Sequence, residues 1–243
     1  TLRGAEKSGL ASEQARAQIN LGLVAMREGD LESAESHLLD GIAHAREAGD
    51  LVRLAGGRLN LGTLHHQRGD LGPAFECYRE CRSLFRRLGN RTQLARTLSN
   101  LGNVLCLVGD TERAMAHVRE AIRLAEQGGQ EKLAALSTLV EGVILMEKGR
   151  RAEAEARLRE GLNARPQEAL LELAECAVRF DDPTQARSVL GELSRHAGDG
   201  ATPNVKGRVE LTWGAVHLAE GSPEAAKAHF DAARTTFDGM GRA

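Results

Sequence analysis

At 243 residues and a formal net charge of −2, the chain can hold one or two domains and has no basic excess to draw it to nucleic acid. Its apolar content is 42% but only 3% is aromatic, so a core must be built from Ala, Leu and Val, small side chains that let helices pack closely. Four scattered cysteines, Cys77, Cys81, Cys106 and Cys176, lack the paired spacing of a zinc ribbon and the density of a disulfide scaffold, and read as reduced core thiols of a cytosolic protein. No apolar run approaches the ~18–20 residues of a membrane span, and the N-terminus shows no signal peptide. Thr1 stands where an initiator Met would, as in a segment cut from a larger protein.

Taken in order, the chain repeats itself. Asn20-Leu21-Gly22, Gly29-Asp30 and Ala34 return 40 residues later as Asn60-Leu61-Gly62, Gly69-Asp70 and Ala74. They return again as Asn100-Leu101-Gly102, Gly109-Asp110 and Ala114. A fixed period of this length marks a solenoid. With the alanine as ruler, Ala154 follows after 40 residues, Ala186 after 32 and Ala226 after 40. Twelve residues before each alanine stands a small residue: Gly22, Gly62, Gly102, Gly142, Ala174 and Gly214. Four residues after each stands an apolar one: Leu38, Tyr78, Val118, Leu158, Leu190 and Phe230. One array over 1–243 therefore has six repeats, roughly 11–50, 51–90, 91–129, 130–165, 166–201 and 202–243.

Each repeat reads as two helices. Leu21, Val24 and Ala25 recur as Leu61, Leu64 and His65, then as Leu101, Val104 and Leu105, the i, i+3, i+4 spacing of one helix face. Gly29-Asp30, Gly69-Asp70 and Gly109-Asp110 each supply a left-handed stop and a capping start. Asp182-Pro183 and Ser222-Pro223 do the same with a cap and a Pro in the first helical position. The spacing predicts first helices over 12–28, 52–68, 91–108, 131–148, 166–179 and 204–220. It predicts second helices over 31–48, 71–88, 111–127, 151–163, 183–196 and 223–238, with a Gly-rich loop from His196 to Pro203 and no strands.

These offsets resemble the tetratricopeptide repeat, whose pattern is Leu-Gly in the first helix, Ala twelve residues after the Gly, and a large apolar residue four further on. Leu21-Gly22…Ala34…Leu38, Leu61-Gly62…Ala74…Tyr78, Leu101-Gly102…Ala114…Val118 and Trp213-Gly214…Ala226…Phe230 match it. Glu141-Gly142 and Leu173-Ala174 match less well. Most repeats here are 40 residues rather than the usual 34, and Arg46, Arg86 and Glu126 replace the usual Pro after the second helix. The resemblance implies an all-α, right-handed α-solenoid. The 40-residue variety is similar to the arrays of spindle-orientation adaptors, kinesin light chains, bacterial peptide-pheromone receptors and sensor regions of large bacterial transcription activators. In those arrays an Asn two residues before the Gly holds the backbone of a bound peptide. Asn20, Asn60 and Asn100 match that place; Val140, Glu172 and Thr212 do not, so such a ladder ends after the third repeat.

Asn forms helices poorly because its side chain competes for backbone bonds, so three at one repeat position ask for a reason. An amide offers donors and an acceptor together, which suits an extended peptide backbone. The alternative is that the three hold neighbouring helices together. Arg16, Arg27, Thr63, Gln67, Arg96 and Asn103 fall on the same helix face and make a mixed polar groove with Arg at both ends, suited to an acidic or polar segment or, alternatively, simply a solvated concave face. Arg79 to Arg96 holds six Arg and one Glu, a run that reads as a solvated face before a nucleic-acid site. His65 and His66 are adjacent and so diverge, which argues against a metal site with Cys77 and Cys81. No glycine-rich phosphate loop, H-E-x-x-H or G-x-S-x-G is present, so no enzyme activity, metal or cofactor is expected.

The expectation is a peptide- or protein-binding scaffold that grips an extended segment in a concave groove, as a regulatory or sensor array of a bacterial cytoplasmic protein. The alternatives are a structural self-association module and a small-molecule sensor region of a transcription activator. Trp213, Phe230 and Phe237 concentrate aromatic rings in the last repeat, a feature that would suit a homodimer through the C-terminal end.

Overall fold

The computed structural model describes residues 2–196 and 202–239, with side chains from Ser8 to Arg195 and from Thr202 to Gly239. The described residues form helices and turns with no strand. In order the helices are α1 (Leu2–Glu28), α2 (Leu31–Glu47), α3 (Leu51–Arg68), α4 (Leu71–Arg87), α5 (Arg91–Leu107) and α6 (Thr111–Gln127). Then come α7 (Glu131–Glu147), α8 (Arg151–Glu160), α9 (Pro166–Arg179), α10 (Pro183–His196), α11 (Pro203–Ala219) and α12 (Pro223–Asp238). They pair as the six expected repeats and divide into two compact units, 1–130 with repeats 1 to 3 and 131–243 with repeats 4 to 6. None of these helices is long and apolar enough to cross a membrane.

The helices of a repeat touch through the small residue of the first and the large residue of the second. A Cβ on Gly102 would lie 2.3 Å from Cγ2 of Val118, and one on Gly62 would lie 2.7 Å from Cε1 of Tyr78. Ala34, Ala74, Ala114 and Ala154, from the facing helices, are fully buried. Between repeats 1 and 2, Ala34, Leu38 and Ile42 of the second helix pack on Leu61 and Leu64 of the next first helix. In the C-terminal unit Leu170, Leu171, Ala174, Ala177, Ala186, Leu190, Leu193 and Val216 form one cluster. Helices α1, α3 and α5 also touch one another in succession, whereas α2, α4 and α6 do not. The first helices are therefore the tighter, inner layer of the N-terminal unit, and α7, α9 and α11 are that of the C-terminal unit.

A 20-residue beat sets the turns. Gly29, Gly49, Gly69, Gly89, Gly109, Gly129 and Gly149 all have φ between 63° and 86°, the left-handed region that a side chain resists. The next N–H then reaches back to a helix carbonyl, as from Asp110 to Leu105 at 2.9 Å. Asp30, Asp50, Asn90 and Asp110 cap the following helix through the N–H of Ser33, Arg53, Gln93 and Arg113. Asp70, expected to do the same, makes no cap bond. The residue three places on is Pro73, which has no N–H to donate, and the Asp70 carboxylate lies 3.7 Å from His65 Nδ1 instead. Asp181 takes a glycine's place in the rhythm at φ 57°.

Two boundaries differ from expectation. Helix α1 starts at Leu2 rather than 12, because nothing stops it and the hydroxyls of Ser8 and Ser12 tie the added turns to the carbonyl of Ala48 (2.9 Å) and to Asp50 Oδ2 (2.7 Å). Helix α8 stops at Glu160 rather than 163: Pro166 forces an extended Arg165, and the chain at Gly161 passes so close to Leu139 that a Cβ would lie 2.2 Å from Cδ2. The other helices begin and end within about two residues of expectation. Most of the loop expected from His196 to Pro203, at 197–201, lies outside the described residues.

Burial alone would raise the Asp50 carboxyl, but bonds from the Arg53 N–H, the Ser12 hydroxyl and the Arg53 guanidinium hold it below the ordinary carboxylate range. A depressed folded-state value means that this stabilisation is complete above the unfolded carboxylate range and is lost as pH falls through the folded value. Asp50→Asn should flatten the acid limb of a stability-versus-pH curve measured by urea melts. In the same assay Asp110→Ala should cost about 1 kcal/mol, while Asp70→Ala, which loses no cap bond, should cost only a few tenths. Gly102→Leu should cost about 2 kcal/mol or more by overpacking. Gly56→Ala should stabilise by roughly 0.5–1 kcal/mol, because a Cβ inside α3 there meets nothing within 4 Å.

Candidate functional site

An Asn two residues before the crossing glycine lies about 200° around the helix from it, on the side away from the second helix. Asn20, Asn60 and Asn100 accordingly sit at one register of α1, α3 and α5, the three neighbouring helices of the inner layer. Asn20 is exposed, and Asn60 and Asn100 are half-buried. Arg16, Arg27, Gln67 and Arg96 are exposed, and Thr63 and Asn103 half-buried, on the same three helices.

Three of the nine are already engaged. Arg16 forks onto Glu13, with Nε at 3.0 Å from Oε2. Thr63 donates to the Leu59 carbonyl at 3.0 Å and accepts a long bond, 3.3 Å, from the Tyr78 hydroxyl. The Asn100 side chain faces the same Tyr78 hydroxyl and helps to hold its pKa down against burial. Burial pushes that hydroxyl up to about 12, so it stays a neutral phenol tying α4 to α3 through Thr63. The side chains of Asn20, Arg27, Asn60, Gln67, Arg96 and Asn103 make no hydrogen bond or ion pair among the described residues.

The C-terminal unit treats the same register differently. Glu172 occupies the Asn position, Glu175 matches Thr63 and Asn103, and Arg208, six residues before Gly214, matches Arg16 and Arg96. Arg208 Nη2 lies 2.7 Å from Glu172 Oε1, and its Nε lies 2.9 Å from Glu175 Oε1. Burial raises the Glu172 carboxyl, and the Arg208 charge opposes that rise. Here the inner register is closed on itself by a partly buried ionic triad.

Sequence reasoning missed both the Tyr78 hydroxyl and this triad. The signal for the first was present: Tyr78 is the chain's one tyrosine, in a place filled elsewhere by Leu, Val or Phe, and a buried phenol needs a partner. The triad joins residues 36 and 33 apart, a spacing that a 40-residue comparison does not align.

The remaining candidates serve packing or local pairing. Cys77 and Cys81 are buried, burial pushes both thiols up, and Cys81 Sγ donates to the Ala55 carbonyl at 3.3 Å. Among the described residues no group of three or more His, Cys, Asp or Glu is arranged to hold a metal. In the arginine run, Arg79 pairs with Glu76 and Arg86 with Glu120. In the last repeat Trp213 is half-buried beneath the Arg187 guanidinium, 5.3 Å from its ring, and Phe230 remains 38% exposed.

Tyr78→Phe should lower stability by about 0.5–1.5 kcal/mol. Asn100→Ala should lose more stability in a urea melt than Asn20→Ala or Asn60→Ala, whose side chains hold nothing in the fold.

The tetratricopeptide repeat model matches residues 13–87 and 53–127, and a second tetratricopeptide repeat model matches 139–200. No curated protein matches the sequence. Among solved structures, the chain is similar to a Rap protein complexed with competence and sporulation factor, at 12% identity and a TM-score of 0.78, over 92% of this chain and 64% of that one. It is similar to the Rap conjugation gene regulator of the plasmid pLS20 in complex with the Phr* peptide, at 14% identity and a TM-score of 0.69, over 95% and 64%. PilW, a type IV pilus biogenesis factor, matches at 19% identity and a TM-score of 0.64, over 92% and 94%. At these identities the likeness is one of fold, and the chain spans 64% of the length of each of the two Rap structures. With the repeat models matched over most of its length and the helix pairs in place, the chain belongs to the tetratricopeptide repeat family.

Proposed function

We propose that the N-terminal unit binds an extended protein or peptide segment along its inner layer, as part of a regulatory or sensor array in a bacterial cytoplasmic protein. Asn20 and Asn60 would bond the backbone of the segment. Asn100, which faces the Tyr78 hydroxyl, would do so with the capacity left there. Arg27, Gln67, Arg96 and Asn103, with Arg16 and Thr63 beside them, would read its side chains.

The observation that carries this reading is the contrast within the chain. At one register the C-terminal unit satisfies its arginine, Arg208, with Glu172 and Glu175. The N-terminal unit leaves Arg96 without a partner, beside a register of amides. A stack of polar groups left open on three adjacent helices supports a ligand that brings its own donors and acceptors, and the free arginines favour acidic side chains in it. The likeness to a Rap protein solved with a peptide agrees with such a use of the fold.

The test is binding of the chain to an array of immobilised 15-residue peptides, against the Asn20→Ala, Asn60→Ala double variant. Asn100 is spared because it faces the buried Tyr78 hydroxyl. The double variant should keep its helical signal and melting temperature, Ala being the better helix former. It should bind the retained peptides roughly five- to a hundred-fold more weakly, since each bond contributes ~0.5–1.5 kcal/mol. Retention of every peptide at unchanged affinity would remove the inner layer as the binding surface.

A further inference from the structure

Two polar side chains on the outer layer of the N-terminal unit stand where other repeats place apolar or paired ones. Eight residues after the ruler alanine, repeats 1, 3 and 4 carry Ile42, Ile122 and Leu162, and Ile42 packs on the next first helix. Repeat 2 carries Arg82 there, half-buried, with no hydrogen bond or ion pair among the described residues. The arginine at that place in repeat 6, Arg234, is exposed and pairs with Asp231 at 3.0 Å. Taking a guanidinium partly out of water with no carboxylate to meet it costs stability, which leaves Arg82 short of an anion.

The second is His117, three residues after Ala114. Its counterparts His37 and His229 each bond a residue nineteen places earlier, Gln18 and Glu210, both at 2.7 Å. Nineteen places before His117 stands Leu98, fully buried and without a polar side-chain atom to offer. His117 is half-buried and likewise makes no hydrogen bond or ion pair among the described residues.

The two meet in one groove. The backbones of α4 and α6 do not touch, and long side chains bridge the space between them. Arg113 lies over the Phe75 ring at 5.8 Å, and Arg86 Nη2 reaches Glu120 Oε1 at 3.1 Å. Between these bridges Arg82 shares a face of α4 with Phe75 and Arg86, and His117 shares a face of α6 with Arg113 and Glu120. Burial holds the imidazole below its ordinary range, and Arg82 is the charge that lowers it most, ahead of Arg113 and Arg86, while Glu120 pulls the other way. Three guanidiniums thus surround a neutral imidazole, and the carboxylates of Glu120, Asp110 and Glu76 are already paired with Arg86, Arg113 and Arg79.

We propose that this groove is an oxyanion site, in which Arg82 and His117 hold a phosphate group, free or carried on a small molecule, with Arg86 and Arg113 at its rim. A phosphate group presents three acceptor oxygens where a carboxylate presents two, which suits donors that arrive from two helices. The site lies on the outer layer and leaves the extended segment to the inner one.

Nuclear magnetic resonance of the histidine rings over pH tests it, because an anion bound beside His117 favours its protonated form. At fixed ionic strength, inorganic phosphate should raise the His117 pKa by about one unit and leave the ring signals of His37 and His229 unmoved. Arg82→Ile, which gives repeat 2 the residue type of repeat 1, should be at least as stable in a urea melt and bind phosphate roughly ten- to a hundred-fold more weakly. Phosphoserine and adenosine monophosphate then separate the sources: tighter binding of either than of phosphate assigns a carried group, and equal or weaker binding assigns the free ion. Acetate that moves His117 as far as phosphate does, a phosphate response that survives Arg82→Ile, or no response at any soluble phosphate concentration would each overturn the proposal.

Discussion

Everything in this molecule depends on one close approach, a residue with little or no side chain in the first helix of each repeat lying against a large one in the second. At Gly102 the gap to Val118 is too small for a methyl group, and the same holds for Gly22 against Leu38, Gly142 against Leu158 and Gly214 against Phe230. Because the contact consumes one face of the first helix, the next face is free to take the preceding repeat and the remaining face is left inward. Three faces with three duties explain why the first helices carry few free positions. They also explain why a core with so few aromatic residues suffices: Ala, Leu and Val fill the narrow space that the glycines permit.

The inward face is where the two units diverge. Repeats 1 to 3 leave amides and unpaired arginines on it; repeats 5 and 6 close it with Arg208, Glu172 and Glu175. A partly buried charge cluster of this kind adds little net stability, because desolvation offsets much of the attraction. Its effect is to fill with paired side chains the register that the N-terminal unit leaves open. The two units thus show one backbone plan with two fillings, open and self-satisfied. The lone phenol, Tyr78, sits between them in character: it packs as a core residue and donates its hydroxyl to Thr63 on the inner layer.

The helix pairs were legible in the sequence because every signal they need is local. Gly, Asp, Ala and a large apolar residue recur at fixed offsets, and each has its own mechanical task. The start of α1 was not legible, since it is set by Ser8 and Ser12 reaching residues about forty positions away. The uncapped Asp70 is readable in principle from Pro73, but Gly69-Asp70 has the same local pattern as the copies that do cap. The open and closed inner registers were hidden for a different reason. They depend on pairs between repeats, and the 32-residue step into the fifth repeat breaks the ruler that would align Arg208 with Arg96.

The central claim is that the inner layer of the N-terminal unit, and not its outer helices, meets the ligand. Photo-cross-linking from single positions tests this most directly: a benzophenone amino acid at Gln67, on the inner layer, against one at Leu39, exposed on α2. The account predicts that position 67 captures a bound segment from the native lysate and that the Asn20→Ala, Asn60→Ala background abolishes the capture. Capture from position 39 with none from 67 would contradict it.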